Sequence, residues 1–471
     1  MERLISCGKI VTKSSNEISE SRMGLGMEKL DRDAFDPEKV YDKVAATGTK
    51  WIRLQSGWQK TEKEKGVYDF AWLDSQVDNL LKRGLKPWIC LCYGNVVYDE
   101  LAKEYVGAVG CTPIRTEEAY NAWLNYVRET AAHFSGRVEY YEVWNEPEGG
   151  WTWRPEANTK EYADFCIATS AAVKEADPNA KIITGSHYED SMRSFNEEFS
   201  HGMLRVSDAV SFHSYQYDER KSMIKAKAFK RLSEMYGKKV EVIQGESGSQ
   251  SSSGGNGALW WVRTDKDMQA KQIMRHIVAD LLCDVKFTSI FSCVDMAENL
   301  DAKEGEPITT CGYFGLLGAD FDAKNGKLIG DYYEKPSYYA YQNLCSILGG
   351  ELQVDDMPVI FTPDRSMRID GWDTTTQKLV YGGFSRENGS RAFAYWCATD
   401  MITVKDYEST VTFELFCGKG DIRIIDPKSG FIYKIPEEII STKDGMLYRF
   451  TNLPVKDYPL IITVGDFTDF E

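Results

Sequence analysis

The chain has 471 residues, 42% apolar and 13% aromatic, with a formal net charge of −16. That supports large cores in two or three domains, or one α/β barrel with an appendage. The acidity argues against nucleic acid or an anionic membrane surface as partner, since both demand basic surface, and suits a neutral or cationic molecule.

No stretch approaches the roughly 18 uncharged apolar residues that a membrane-spanning helix needs. Met1-Glu2-Arg3 leads into a short apolar run broken by Gly8 and Lys9, unlike a secretory signal. Eleven cysteines lie scattered in apolar surroundings and read as buried free thiols. Together these give a cytoplasmic expectation, or secretion if a leader has been removed.

In chain order, the N-terminal segment 1–14 offers one weak strand and no barrel partner, so it is a candidate to pair with the C-terminal part. From Met23 a rhythm begins. Apolar runs suited to strands fall at 23–28, 51–55, 87–93, 138–144, 181–186, 209–214, 240–244 and 288–294. Segments of helical period, with start and stop signals, lie between them. Asp36-Pro37 supplies a cap and a first-turn proline, Asp69 caps a stripe of Leu73, Val77 and Leu80, and Thr116 starts a helix carrying Trp123, Val127 and Ala131. Further helices fit 159–176, 219–236, 265–282 and 335–347. Eight strand–helix pairs point to an α/β fold, a (β/α)8 TIM barrel over 15–347. A doubly wound open sheet is the rival, but no G-x-G-x-x-G follows a strand.

Beyond Gly350 the helical period stops. Short alternating runs at 367–369, 378–384, 391–397, 410–416, 421–425, 431–435, 447–450 and 460–464, separated by turn residues, predict a C-terminal antiparallel β-sandwich domain over 348–471.

The chemistry concentrates at two strand ends. Strand 4 reads V-E-Y-Y-E-V-W-N-E-P and breaks at Pro147, presenting Glu146 after an amide, Asn145. Strand 7 reads V-E-V-I-Q-G-E-S-G and presents Glu246. In a closed eight-strand barrel these strands face each other across the carboxyl-end mouth, where active sites are built. Two carboxylates flanking one bond are what glycoside hydrolysis needs: one protonates the leaving oxygen and the other attacks the anomeric carbon or activates water.

Trp144-Asn145-Glu146-Pro147, with a glutamate ending strand 7, resembles the retaining glycoside hydrolases of clan A. W-I-R-L-Q-S-G-W-Q-K, then E-K-E-K-G-V-Y-D-F-A-W-L-D, G-Y-F-G-L-L and K-P-S-Y-Y-A-Y-Q-N-L, make family 39 the nearest likeness, the family of β-xylosidases and α-iduronidases. The resemblance implies a retaining exo-glycosidase on neutral β-linked glycosides, β-xyloside-like, without cofactor or metal. Other clan A activities (β-galactosidase, β-glucosidase, endo-glycanase) or a non-hydrolytic carbohydrate-binding barrel are the alternatives. Glycoside or oligosaccharide is the implied partner, and homo-oligomerisation is left open.

By the same resemblance Glu146 is the general acid/base and Glu246 the nucleophile. Asn145 would bind the sugar 2-hydroxyl, Arg53 would lie under the nucleophile, and Tyr215 would donate to the nucleophile or to the ring oxygen. Glu142 reads as structural, paired with Arg53, and Gln244 is similar. His213 stands between sugar ligand and packed histidine, with His187 a weaker candidate. Of the aromatic residues in the loops, Trp151 and either Trp260 or Trp261 are the expected sugar platforms. The serine–glycine loop after Glu246 either covers the pocket or is merely solvated. Clan A enzymes often end strand 8 on a tryptophan; here Cys293, Val294 and Asp295 occupy the expected place, and Asp295 or Glu298 becomes a candidate for a sugar hydroxyl.

Overall fold

Eight parallel strands close on themselves in the computed structural model, which describes residues 1, 3–297, 310–322, 324–362, 368–369, 372–373, 378–404 and 406–471. They are β1 (Met23–Gly26), β2 (Trp51–Gln55), β3 (Lys86–Leu91), β4 (Tyr140–Val143), β5 (Lys181–His187), β6 (Ala209–His213), β7 (Glu241–Ser247) and β8 (Thr288–Ile290). β1 pairs with both β2 and β8, which completes the ring. Helices cover it outside, among them Ala71–Lys82, Glu117–Phe134, Thr159–Ala176, Glu219–Met235, Lys266–Leu282 and Pro336–Leu348. Caps predicted from sequence form: the Asp36 side chain accepts from Glu38 N, and that of Thr116 from Ala119 N.

The strands are buried on both faces, so inward and outward residues alternate without a polar side. At the amino-terminal end Trp51, Trp88, Tyr140, Ile183, Ala209, Ile243 and Phe287 fill the interior as one apolar layer. The Trp51 and Phe287 rings stack at 4.6 Å. Two residues further along, the same inward rows carry Arg53 after Trp51, Cys90 after Trp88 and Glu142 after Tyr140. Strand periodicity therefore lays a polar layer directly on an apolar floor.

The carboxyl-terminal part forms antiparallel sheets. One has seven strands and the other four. The N-terminal strand Ile5–Lys9 pairs antiparallel with Phe431–Lys434, at the edge of the larger sheet. Rings from the two sheets meet: Phe413 of the four-stranded sheet lies 5.7 Å from Tyr395 and 6.0 Å from Phe393 of the seven-stranded one. Arg275, on a barrel helix, donates to Thr399 O at 3.1 Å and pairs with Glu219 at 2.7 Å, and the Trp396 indole donates to that same Glu219 at 2.7 Å. A buried charge pair thus ties barrel to sheets.

Some boundaries differ from expectation. β1 stops at Gly26 rather than 28, and β8 at Ile290 rather than 294. A hairpin, Leu317–Phe321 with Leu328–Glu334, lies between β8 and the last helix. Strands Gln353–Asp355, Val359–Thr362 and Ile440–Thr442 also form. Of the expected strand 367–369, residue 367 lies outside the described residues. All eleven cysteines are free, and no helix among the described residues is long and apolar enough to cross a membrane.

Candidate active site

Arg53 is the hub of the carboxyl-end mouth. Its guanidinium is fully buried and donates from Nε to Glu142 Oε2 at 2.6 Å and from Nη2 to Asn145 Oδ1 at 2.9 Å. Nη1 donates to Glu246 and lies 3.4 Å from Glu28 Oε1. Glu142 also accepts from the Trp88 indole at 3.1 Å and from the Ser186 hydroxyl, so it is the saturated structural partner that strand parity suggested. Gln244 is fully buried and its amide finds no hydrogen-bond partner among the described residues.

Glu246 ends up beside His213 because the β6–β7 ladder pairs them directly. Its carboxylate accepts from Arg53 and, at Oε2, from the Tyr215 hydroxyl at 2.7 Å. Burial alone pushes this carboxyl up, but His213, the Arg53 guanidinium and the Tyr215 hydrogen bond outweigh it and hold it below the usual carboxylate range.

Glu146 sits in the loop that Pro147 forces after β4. Trp144 (φ 67°) and Glu146 (φ 48°) both occupy the left-handed region, a costly conformation for residues with a Cβ. It is held by the Thr152 hydroxyl and the Gly149 amide (3.0 Å), both donating to Glu146 O, and by the Trp144 indole donating to Thr152 O at 2.5 Å. Glu146 Oε1 lies 2.8 Å from His213 Nδ1. Burial raises the Glu146 carboxyl above its ordinary range, with the His213 contact opposing and the Glu246 charge adding. For His213 burial acts downward, but the two glutamates prevail and raise it.

The two acids are therefore polarised oppositely. Glu246 is driven to ionise, while the Glu146–His213 pair holds its proton tightly. One oxygen of Glu146, His213 Nδ1 and one oxygen of Glu246 all lie within 4.8 Å of one another. The same three atoms are the group among the described residues spaced to hold a metal ion.

These groups open into a cavity of about 860 Å³ lined by Asn145, Glu146, Tyr215, Glu246, Trp151 and Trp261, among others. Not every predicted contact belongs to it. Trp260 is 61% exposed and stands outside the wall, its ring edge-on to Trp261 at 6.0 Å. His213 and Arg53 are fully buried behind the carboxylates, so they act on the glutamates and are not sugar ligands. His187 is buried between Glu148 and Glu198 at 2.7 and 2.8 Å. Trp58 and Trp153 are core residues. Asp295 is not at a sugar site either: it pairs with Lys335 at 2.8 Å and accepts from Gly315 N at 2.9 Å. Glu298 lies outside the described residues.

Among the lining residues that sequence reasoning missed, two stand close to the acids. Because β8 ends early, the aromatic position under the cavity falls at Phe291, which packs edge-on against Phe314 at 5.4 Å and Tyr215 at 6.5 Å. Glu28, just past β1, is a third acid in the site. Its carboxyl folds back over Gly26, where a Cβ would collide with it. Burial and the Glu246 charge raise it to about 8 against the pull of Arg53. The signal was available: Gly24, Gly26 and Glu28 share inward strand parity.

Residues 46–246 match the model of the glycosyl hydrolases family 39. Over 54 residues the chain is 35% identical to the β-galactosidase BgaH of Haloferax lucentense, which covers 11% of this chain and only 8% of that protein. Among solved structures, a family 39 glycoside hydrolase from Bacteroides cellulosilyticus is similar with a TM-score of 0.65 at 17% identity, over 94% of this chain and 80% of that one. A monomeric β-xylosidase from Caulobacter crescentus is similar with a TM-score of 0.60 at 15% identity, over 98% and 97%. At such identities the structures speak for the fold, a barrel followed by antiparallel sheets. The family match is more specific, because it spans Arg53, Asn145, Glu146, His213, Tyr215 and Glu246. By that match the segment from the edge of β2 to Glu246 at the end of β7 is similar to the glycosyl hydrolases family 39.

Proposed function

We propose that the protein hydrolyses neutral β-linked glycosides with retention, Glu246 acting as nucleophile and Glu146 as acid and then base. The observation that carries this reading is the pair of carboxylate oxygens within 4.8 Å of each other, with opposite proton affinities. Retaining enzymes hold their carboxyl groups about 5–5.5 Å apart, while inverting ones leave about 6.5–9.5 Å for a water.

In the first step the proton held by the Glu146–His213 pair passes from Glu146 to the glycosidic oxygen. The C1–O bond breaks with its electron pair leaving on that oxygen, and a Glu246 oxygen bonds to C1. With Glu246 esterified, one of the charges that favour a protonated Glu146 is gone. Glu146 then takes a proton from water as the water oxygen bonds to C1, and the Glu246–C1 bond breaks. Arg53 and Tyr215 stabilise Glu246 as it re-ionises. Asn145, oriented by Arg53, is placed for a sugar hydroxyl. The likeness to the Caulobacter β-xylosidase favours a β-xyloside as the first substrate to try.

The test is a panel of nitrophenyl glycosides assayed with two variants. Glu246→Ala should abolish turnover of aryl β-glycosides, and near-normal rates would sink the assignment. Glu146→Ala should hurt poor leaving groups far more than activated ones, and equal losses would count against its role.

A further inference from the structure

Behind the Glu146 turn lies a second buried charge cluster, separate from the Arg53 hub. His187, the last residue of β5, has Nδ1 at 2.7 Å from Glu148 Oε2 and Nε2 at 2.8 Å from Glu198 Oε2, with side-chain exposures of 2%, 6% and 1%. Glu148 Oε1 also accepts from the Tyr188 and Glu189 amides at 2.5 and 3.1 Å. Burial opposes charge on each of these groups. Even so, the two carboxylates raise His187 well above its ordinary range, and His187 with the amides holds Glu148 below its own. Glu198, which receives no amide, is pushed up by burial to about 7. The cluster therefore keeps an imidazolium and commits its nearer carboxylate, Glu148, to the ionised form.

Glu148 is two residues from Glu146, in a turn whose backbone is strained at Trp144 and Glu146. Such strain persists only where neighbours over-determine it. The Thr152 and Gly149 bonds close the loop on itself. Glu148 fastens it to the neighbouring strand end.

We propose that Glu148, locked by His187, is the positioning residue for Glu146: it pins the strained acid/base turn to the end of β5 and holds a fixed negative charge behind it. This rests on the assignment of Glu146 as acid/base. The groups facing Glu146 are His213 from β6, Tyr215 beyond it, Glu246 from β7, Tyr93 beyond β3, Tyr188 beyond β5, and Glu148 from its own turn. Of these, Glu246 and Glu148 supply the negative charge that favours a protonated Glu146, and only the Glu148 charge survives when Glu246 is esterified.

The test compares Glu148→Gln, His187→Gln and Glu198→Gln with the unaltered enzyme. Each is assayed on aryl β-glycosides from dinitrophenyl to unactivated phenyl, across pH, with thermal midpoints recorded. General acid assistance is worth about 10²–10⁴-fold, so a displaced acid should forfeit part of that only where the leaving group needs a proton. Glu148→Gln is expected to lose about tenfold or more on phenyl glycosides and under about threefold on dinitrophenyl ones. Its alkaline limb of kcat/KM should also move to lower pH. His187→Gln should show a weaker version of the same pattern, and it carries the test if Glu148→Gln does not fold. Glu198→Gln, on the far side of the imidazole, should show no leaving-group dependence.

Uniform losses across leaving groups, or the same profile in Glu148→Gln and Glu198→Gln, would overturn the proposal and leave the cluster a core element. If the unaltered enzyme hydrolyses no glycoside, the functional reading fails and Glu148's role with it. If Glu146→Ala shows no leaving-group dependence, the acid/base assignment is what fails.

Discussion

Removing the Tyr215 hydroxyl isolates one force acting on Glu246. The substitution Tyr215→Phe keeps the ring that packs against Phe291 and Phe314 and deletes the 2.7 Å donor to Glu246 Oε2. A hydrogen bond to a charged group contributes about 1.5–3 kcal/mol, and 1.36 kcal/mol corresponds to one pH unit. The Glu246 carboxyl should therefore rise by about one to two pH units. It should still ionise below neutrality, because Arg53 and His213 keep acting on it. The acid limb of kcat/KM reports ionisation of the free enzyme, so that limb should move up by about the same amount on an aryl β-glycoside. Stability should follow with a definite sign. Glu246 is depressed in the folded state, so its contribution is present above the unfolded carboxyl value and is lost as pH falls. The variant should melt lower than the parent at neutral pH, with the gap closing in acid. An acid limb that stays within about 0.3 pH units would refute the claim that this bond sustains the carboxylate.

Two further outcomes test the cavity and its third acid. Glu28 is raised to about 8, so the stability that its protonated form provides is lost as pH rises through that value. Glu28→Gln keeps the shape and removes the titration, so its melting temperature should fall less than the parent's between pH 6 and pH 9, and parallel profiles would count against a neutral Glu28. Trp261→Ala, at 67% exposure on the cavity wall, should raise KM for oligosaccharides with the melting temperature unchanged, whereas Trp260→Ala should change neither; equal effects would mean that the loop is placed differently in solution.

The barrel was legible because its strands are buried on both faces and punctuated by strong caps such as Asp36 and Thr116. The carboxylate pair was legible because Asn145-Glu146-Pro147 follows closely on the end of β4 at Val143, and Glu246 falls near the end of β7. What stayed hidden depended on where a strand ends. β8 stops at Ile290, three residues before Cys293, since pairing with β1 lasts only from Thr288 to Ile290. Phe291 rather than the Cys293 region therefore reaches the cavity. The hairpin Leu317–Phe321 with Leu328–Glu334 was missed because Gly318, Gly326 and Gly330 resemble loop punctuation. Trp260 and Trp261 could not be separated, because neither strand nor helix periodicity fixes which of two adjacent loop residues turns inward. His213 was open for a different reason: its role comes from the β6–β7 register, a property of pairing between strands.

The proposal of a neutral substrate rests on the charges around Arg53 rather than on net charge. One buried guanidinium faces three carboxyl groups. Glu142 takes the bond from Nε and accepts from Trp88 and Ser186 as well; Glu246 takes Nη1 and adds Tyr215. Glu28 lies 3.4 Å from Nη1, and its Oε2 finds no hydrogen-bond partner among the described residues. A buried charge without hydrogen bonds is costly, so Glu28 is the group that keeps its proton. A sugar carboxylate entering the cavity would meet the ionised Glu246 and would need a cation of its own. Arg32 lines the same cavity, but Asp31 at 3.0 Å already balances its charge and Gln55 at 3.0 Å takes another of its donors. Lys29 lies over the Phe291 ring at 4.8 Å, and its charge already favours the ionised form of Glu246. Arg32 and Lys29 are thus engaged with the site's own groups, and Lys221, also on the cavity lining, acts on Asp190, an arrangement that suits hydroxyls better than a carboxylate.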